Sequence, residues 1–227
     1  MFNQMRQRHI DLDCMTENAY DEAFRRAASP ELREKFWEEQ AREVEWFDFP
    51  KTILDNRDPP LARWYPDGQI NITHNMFDRF LPTHASKRAL VWVSNMVNQH
   101  REWTLQQAYE DTCRMARLLQ QQGVKKGDRV IIYLPMIPEA LFATWACARI
   151  GAIHSIVFGG FAAKELANRI VDSNPKLIVT TSCGLEPNKK VNYVDILSEA
   201  IQLSEQDCNV LIRQRPDLRI ECSPEWK

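Results

Sequence analysis

The stretch RVIIYLPMIPEALFATWACARIGAIHSIVFGGFAAKELANRIVDSNPKLIVTT, residues 129–181, decides the fold. Arg129 to Leu134 is a β-branched run of strand length. Pro138 opens a nearly all-apolar helix that Gly151 closes, as proline at a first turn and glycine past a last turn do. Ile153–Phe158 reads as a second strand, Ala162–Asp172 as a helix, and Lys176–Thr181 as a third strand. Strands that alternate with helices and carry almost no polar residues predict a parallel sheet covered on both faces.

The same pattern extends outward. Upstream, Thr104 caps a helix running to about Gln122, with Leu105, Ala108, Tyr109, Ala116 and Leu119 on one face and Gly123 ending it. Before it, Ala89–Val93 reads as a buried strand. Downstream, Val194–Leu203 predicts a helix and Cys208–Arg213 a strand. Residues 48–88 carry five prolines and little periodicity, which predicts ordered but irregular chain. The first fifty residues are charged and helical. Thr16 is a candidate cap for a helix carrying Ala19, Tyr20, Ala23, Phe24 and Ala27. Ser29-Pro30 is a second start signal, for a helix with Leu32, Phe36, Trp37, Ala41, Val44 and Phe47 on its apolar side. The predicted organisation is a helical and irregular extension over 1–88 and an α/β domain over 89–227.

Composition narrows the function. The chain has 227 residues, 44% hydrophobic and 26% charged, with 12 Pro and 7 Gly, which is globular. Lys and Arg number 29 against 31 Asp and Glu, so a net charge of -2 gives no footprint for nucleic acid or an anionic membrane. No apolar run approaches a membrane span. The first residues lack the apolar centre of a secretory signal, and early acids argue against a transit peptide, although a short mitochondrial leader stays open. Cytosol or mitochondrial matrix is the expected compartment. The six cysteines at 14, 113, 147, 183, 208 and 222 form no CxxC, and read as reduced thiols that mostly fill the core.

Ligands of parallel sheets bind beyond the carboxyl ends of the strands. There the first candidate is Phe158-Gly159-Gly160-Phe161. Paired glycines let a ligand approach the backbone, the helix start offers N–H groups, and the phenylalanines suit a flat group such as adenine. A tight turn with core aromatics has the same pattern. The second candidate is Cys183 to Lys190, where Lys189 and Lys190 suit a phosphate as point charges; a solvated loop is the alternative. Arg149, Arg169 and His154 are single polar residues in apolar surroundings, read as paired structural groups. Lys125–Asp128 reads as an exposed turn. Neither the histidines at 9, 74, 84, 100 and 154 nor the cysteines show metal-ligand spacing, and GxSxG, GxxxxGK[ST] and GxGxxG are absent.

Several segments carry a family resemblance: FWEEQA at 36–41, RWYPDGQINITHNMFDRFL at 63–81, and the whole of 103–173, including ACARIGAIHSIVFGGF at 146–161. From about residue 31 the chain resembles the N-terminal part of AMP-forming short-chain acyl-CoA synthetases, the acetyl- and propionyl-CoA synthetases of the adenylate-forming ligases. The resemblance implies an N-terminal helical extension followed by the first parallel-sheet α/β subdomain of that fold, incomplete as given. It implies a ligase that activates acetate or propionate with ATP to an acyl-adenylate and then forms acyl-CoA, with CoA and ATP as substrates and Mg2+ as cofactor. It places Phe158, Gly159 and Gly160 at the CoA nucleotide, with Lys189 and Lys190 near its 3′-phosphate. GLEPNKKVNY at 184–193 is similar to the propionyl branch. Acetyl-CoA synthetases typically have two arginines where this chain has Glu186 and Lys189, so Glu186 must turn away or Lys190 must serve. The family's Thr/Ser/Gly-rich ATP loop and C-terminal catalytic lysine do not occur among these residues. No catalytic residue is therefore assigned, and the 227 residues alone are expected to be inactive, with exposed sheet edges. The alternatives are a non-catalytic CoA- or partner-binding module, able to pair with a full-length synthetase, and an unrelated flavodoxin-like domain.

Overall fold

Val130, Ile131, Ile132 and Tyr133 are all fully buried. Total burial of four successive residues requires cover on both faces, because adjacent strand residues point opposite ways. The computed structural model, which describes residues 17–187, 189–216 and 219, supplies that cover. The chain divides into two compact units, Met1–Ile70 and Asn71–Lys227.

In the second unit, a π-helical turn (His74–Asp78) and a short helix α3 (Leu81–His84) lead into a hairpin, β3 (Arg88–Ser94) and β4 (Gln99–Thr104). Then follow α4 (Leu105–Gln121), β5 (Arg129–Ile132), α5 (Pro138–Ile150), β6 (Ile153–Ile156), α6 (Ala163–Ser173) and β7 (Leu177–Thr181). A second hairpin, β8 (Cys183–Glu186) and β9 (Lys189–Asn192), precedes α7 (Tyr193–Ser204) and β10 (Val210–Arg213). The main sheet has the order β10-β7-β5-β6, every pair parallel. Val130 and Ile132 face α4 and α5, packing with Leu119, Ala143 and Cys147. Ile131 and Tyr133 face α6 and α7, packing with Leu166, Ile170 and Leu197. The predicted doubly covered parallel sheet is what the chain forms.

Local signals hold where a cap fixes them. Thr104 Oγ1 accepts from Gln107 N while Gln107 Oε1 accepts from Thr104 N, a reciprocal cap for α4. Pro138 opens α5, and Gly151 closes it in the left-handed region at φ 73°. At the far end of α5 the Asn71 amide donates to the carbonyls of Ala148 and Arg149. Arg149 makes two bonds of 2.8 and 2.9 Å to Asp78, so it is the paired structural residue expected.

Four readings are corrected. Ala89–Val93 is not a buried strand of the parallel sheet: β3 pairs antiparallel with β4, and Val91 and Val93 are 46% and 64% exposed. Only Leu90 and Trp92 of that run pack inward, against Phe77, Trp103 and Phe142. His154 is exposed, not in apolar surroundings, because β6 is an edge strand; Arg169 is exposed on α6. The 183–190 segment is a hairpin, not a loop.

The fourth correction lies in the first unit, which contains α1 (Glu17–Ala28), α2 (Arg33–Ala41) and a two-residue ladder, β1 (Leu54–Asp55) with β2 (Arg63–Trp64). The second helix begins at Arg33, not behind a Ser29 cap, and ends at Ala41. Ser29 Oγ donates to Glu31 instead, and Val44 and Phe47 lie outside the helix, exposed. Arg26 bridges α1 to α2 through Glu39 at 2.6 Å. Trp37, Trp46, Trp64 and Tyr65 meet edge-on or tilted, with centroids 5.3–6.1 Å apart. Thr16, Cys14 and Cys222 lie outside the described residues. Of the other cysteines, Cys147 and Cys183 are buried core residues and all four are free.

Candidate functional site

The connection from β5 places β6 on one side of it, and the next connection places β7 on the other. Helices after β5 and after β7 therefore leave on opposite faces, opening a crevice at the carboxyl ends of these two strands. One backbone bond and one side-chain bond define its floor: Tyr133 N donates to Val179 O at 2.9 Å, and Thr180 Oγ1 donates to Tyr133 O at 2.9 Å.

Two tyrosines fill the crevice. Tyr133 follows β5, and Tyr193 begins α7 after β9, with Asn192 capping that helix through Val194 N and Asp195 N. Their rings lie 4.7 Å apart between centroids, tilted by 33°. Burial pushes both phenols up to about 12, so both are neutral at physiological pH. Tyr133 Oη lies 3.4 Å from the carbonyls of Gly159 and Phe161, beneath the turn that follows β6.

The turn itself presents Phe158, 70% exposed, with its ring folded over Gly160: a methyl group there would lie 2.5 Å from Phe158 Cε1. Phe161 meets Phe158 edge-on at 5.7 Å and packs partly into the core. Of the two aromatics, only Phe158 offers an open face. Helix α6 starts at Ala163 with no side-chain cap, which leaves its first N–H groups toward the turn.

In the hairpin, Glu186 pairs with Lys189 in register, and their side chains meet at 3.4 Å. Glu186 thus meets its own cross-strand lysine. Lys190 stands opposite Leu185, exposed. Gly159, between Phe158 and Gly160 on one segment, and Gly184, on the hairpin that carries Lys189 and Lys190, both approach the Tyr193 ring. Sequence reasoning singled out both segments and missed both tyrosines. A tyrosine directly after an Asn helix cap was the available signal. Among the described residues no cluster of three His, Cys, Asp or Glu groups is placed to hold a metal ion.

A parallel sheet with a switch point between β5 and β7 and a glycine pair after β6 defines the class as α/β. The chain belongs to the AMP-binding enzyme family, whose model matches residues 77–227; the model described as acetyl-coenzyme A synthetase N-terminus matches residues 20–76. Among curated relatives, acyl-CoA synthetase short-chain family member 3, mitochondrial, of Bos taurus is 42% identical over 84% of this chain and 28% of its own. Propionate–CoA ligase of Escherichia coli is 43% identical over 80% of this chain and 29% of its own. Acetyl-coenzyme A synthetase of Psychrobacter cryohalolentis is 37% identical over 88% and 32%. The chain thus spans under a third of these relatives. The solved acetoacetyl-CoA synthetase from Streptomyces lividans has the same fold at a TM-score of 0.75, with 24% identity, over 91% of this chain and 31% of that one.

Proposed function

We propose that this chain forms the CoA-facing part of an AMP-forming short-chain acyl-CoA ligase acting on acetate or propionate, with propionate favoured by the GLEPNKKVNY hairpin. The observation that carries the reading is that the Phe158–Phe161 turn, through Gly159, and the 183–192 hairpin, through Gly184, both approach the one Tyr193 ring. In this reading Phe158 offers its exposed face to the adenine, and the Gly159-Gly160 backbone and the start of α6 approach the phosphates. Lys189 and Lys190 place positive charge for the 3′-phosphate, Lys189 partly offset by Glu186. ATP and Mg2+ belong to the same reading but to residues other than these, and no step is assigned to them. The acyl-adenylate and thioester steps depend on positioning and on neutralising phosphate charge. Residues 1–227 alone are expected to release no AMP from acetate or propionate, ATP and CoA. Cytosol or mitochondrial matrix remains the expected compartment, in keeping with the word mitochondrial in the name of one relative.

Titration of the 227-residue chain with CoA and with 3′-dephospho-CoA tests this. CoA should bind more tightly, and the difference should shrink when Lys189 and Lys190 are replaced by Glu. Equal affinity for both ligands, or no binding, overturns the assignment.

A further inference from the structure

Tyr193 is 4% exposed, and two glycines grip its ring from opposite edges. A methyl group built at Gly159 would lie 2.0 Å from Tyr193 Oη, 3.1 Å from Cζ and 3.4 Å from Cε1. One built at Gly184 would lie 2.5 Å from Cε2 and 3.2 Å from Cζ. No real side-chain carbon tolerates either of the shortest approaches. Gly159 belongs to the turn after β6, and Gly184 to the first strand of the lysine-bearing hairpin. The third wall is Tyr133, whose ring lies against that of Tyr193 and whose hydroxyl reaches the Gly159 carbonyl. Tyr193 N also donates to Ser182 O at 3.3 Å, tying the end of β9 to the end of β7.

We infer that Tyr193 is a positioning residue that locks the Phe158–Phe161 turn to the 183–192 hairpin, so that both segments meet CoA as one rigid surface. This rests on the CoA reading above. The turn and the hairpin leave different strands, and a ring gripped between their two backbones fixes one against the other. A hairpin of two four-residue strands has little stability of its own. Its lysines hold a fixed distance from the Gly159-Gly160 backbone only while the ring is in place. Preorganisation of this kind lowers the ordering cost of binding.

The two contacts differ in chemistry, and the difference gives the test. Gly159→Ala collides first with a hydroxyl, Gly184→Ala with a ring carbon. Each variant would be made in the 227-residue chain alone and combined with Tyr193→Phe. CoA affinity and the urea midpoint would be read by titration and fluorescence, and the amide shifts of Lys189 and Lys190 by NMR. Tyr193→Phe alone should leave CoA affinity within about twofold, because the ring stays. Gly159→Ala should weaken CoA binding by about tenfold and move the Lys189 and Lys190 amides. Adding Tyr193→Phe should restore most of both, since only the milder 3.1 Å approach to Cζ is left. Gly184→Ala should weaken binding similarly and should not be rescued, because Cε2 remains.

If Gly159→Ala lowers the urea midpoint but leaves both CoA affinity and the lysine amides unchanged, Tyr193 is a packing residue only and the inference falls. Rescue at both glycines, or at neither, overturns it as well. If the unmodified chain binds no CoA, the functional reading fails while the amide shifts still decide the coupling.

Discussion

Two apolar runs, Ala89–Val93 and Val130–Tyr133, look alike as sequence and end in opposite surroundings. Every residue of the second run is fully buried, at the centre of a parallel sheet between α4/α5 and α6/α7. The first run is one strand of a two-stranded hairpin, with Leu90 and Trp92 packed inward and Val91 and Val93 in solvent. Arg88 and Glu102 form an ion pair across that hairpin at 3.2 Å, and Val91 and Val93 stand opposite Glu102 and His100. A run of β-branched and aromatic residues specifies a strand. It does not specify how many layers cover it, which depends on elements far away in the chain.

Truncation should separate the two runs. Ile132→Ala should cost about 3 kcal/mol in urea unfolding, because a cavity opens between layers that cannot collapse. Val93→Ala, at the other end of the scale, should cost less than about 0.5 kcal/mol. A Val93 loss approaching that of Ile132 would mean that the outer hairpin face is covered, and the comparison would fail.

Between those extremes, Asp78→Ala should cost about 2 kcal/mol, since Arg149 then loses two charged bonds in a half-buried place. The same pair gives a pH signature. Hydrogen bonds from Arg149, the largest cause, hold the Asp78 carboxyl below the usual range, against a smaller upward push from burial. A carboxylate depressed in the fold contributes fully above its unfolded value of about 4 and loses that contribution as pH falls through its folded value. Urea midpoints taken from about pH 6 down to about pH 2 should therefore fall less steeply in Asp78→Asn than in the parent. Equal slopes would remove Asp78 from the acid response.

A smaller effect sharpens the link between the hairpin and the sheet. Thr104 ends β4 and caps α4, so Thr104→Ala should cost about 1 kcal/mol. A Thr104→Asp change should recover most of it, since the aspartate oxygen caps equally well. Failure to recover would assign the loss to strand pairing with Arg88 and not to the cap.

The order of these effects follows what could be read from the residues. The α/β alternation, the Pro138 opening, the Gly151 closure and the Thr104–Gln107 cap are short-range devices, and each one formed. The Ser29-Pro30 signal failed because Ser29 found Glu31 as a partner and the turn delayed the helix to Arg33. The hairpin of 183–192 was missed because its strands are only four residues long, on either side of the turn at Pro187, and neither alternates clearly. Of the candidate site, the Phe158–Phe161 turn and the two lysines were legible as segments. The tyrosines beneath them were not, since Tyr133 and Tyr193 stand sixty residues apart in sequence.

By itself the sequence determined the strand and helix order, the caps that bound them, the doubly covered sheet and the family resemblance. Each of these is written in neighbouring residues, in periodicity or in a long matching run. Only the tertiary structure decided which apolar strand is buried, which side of β5 each neighbour takes, and that one ring joins the turn to the hairpin. Those outcomes come from side chains far apart in the chain that compete for the same space, and the winner is the arrangement that leaves the fewest gaps.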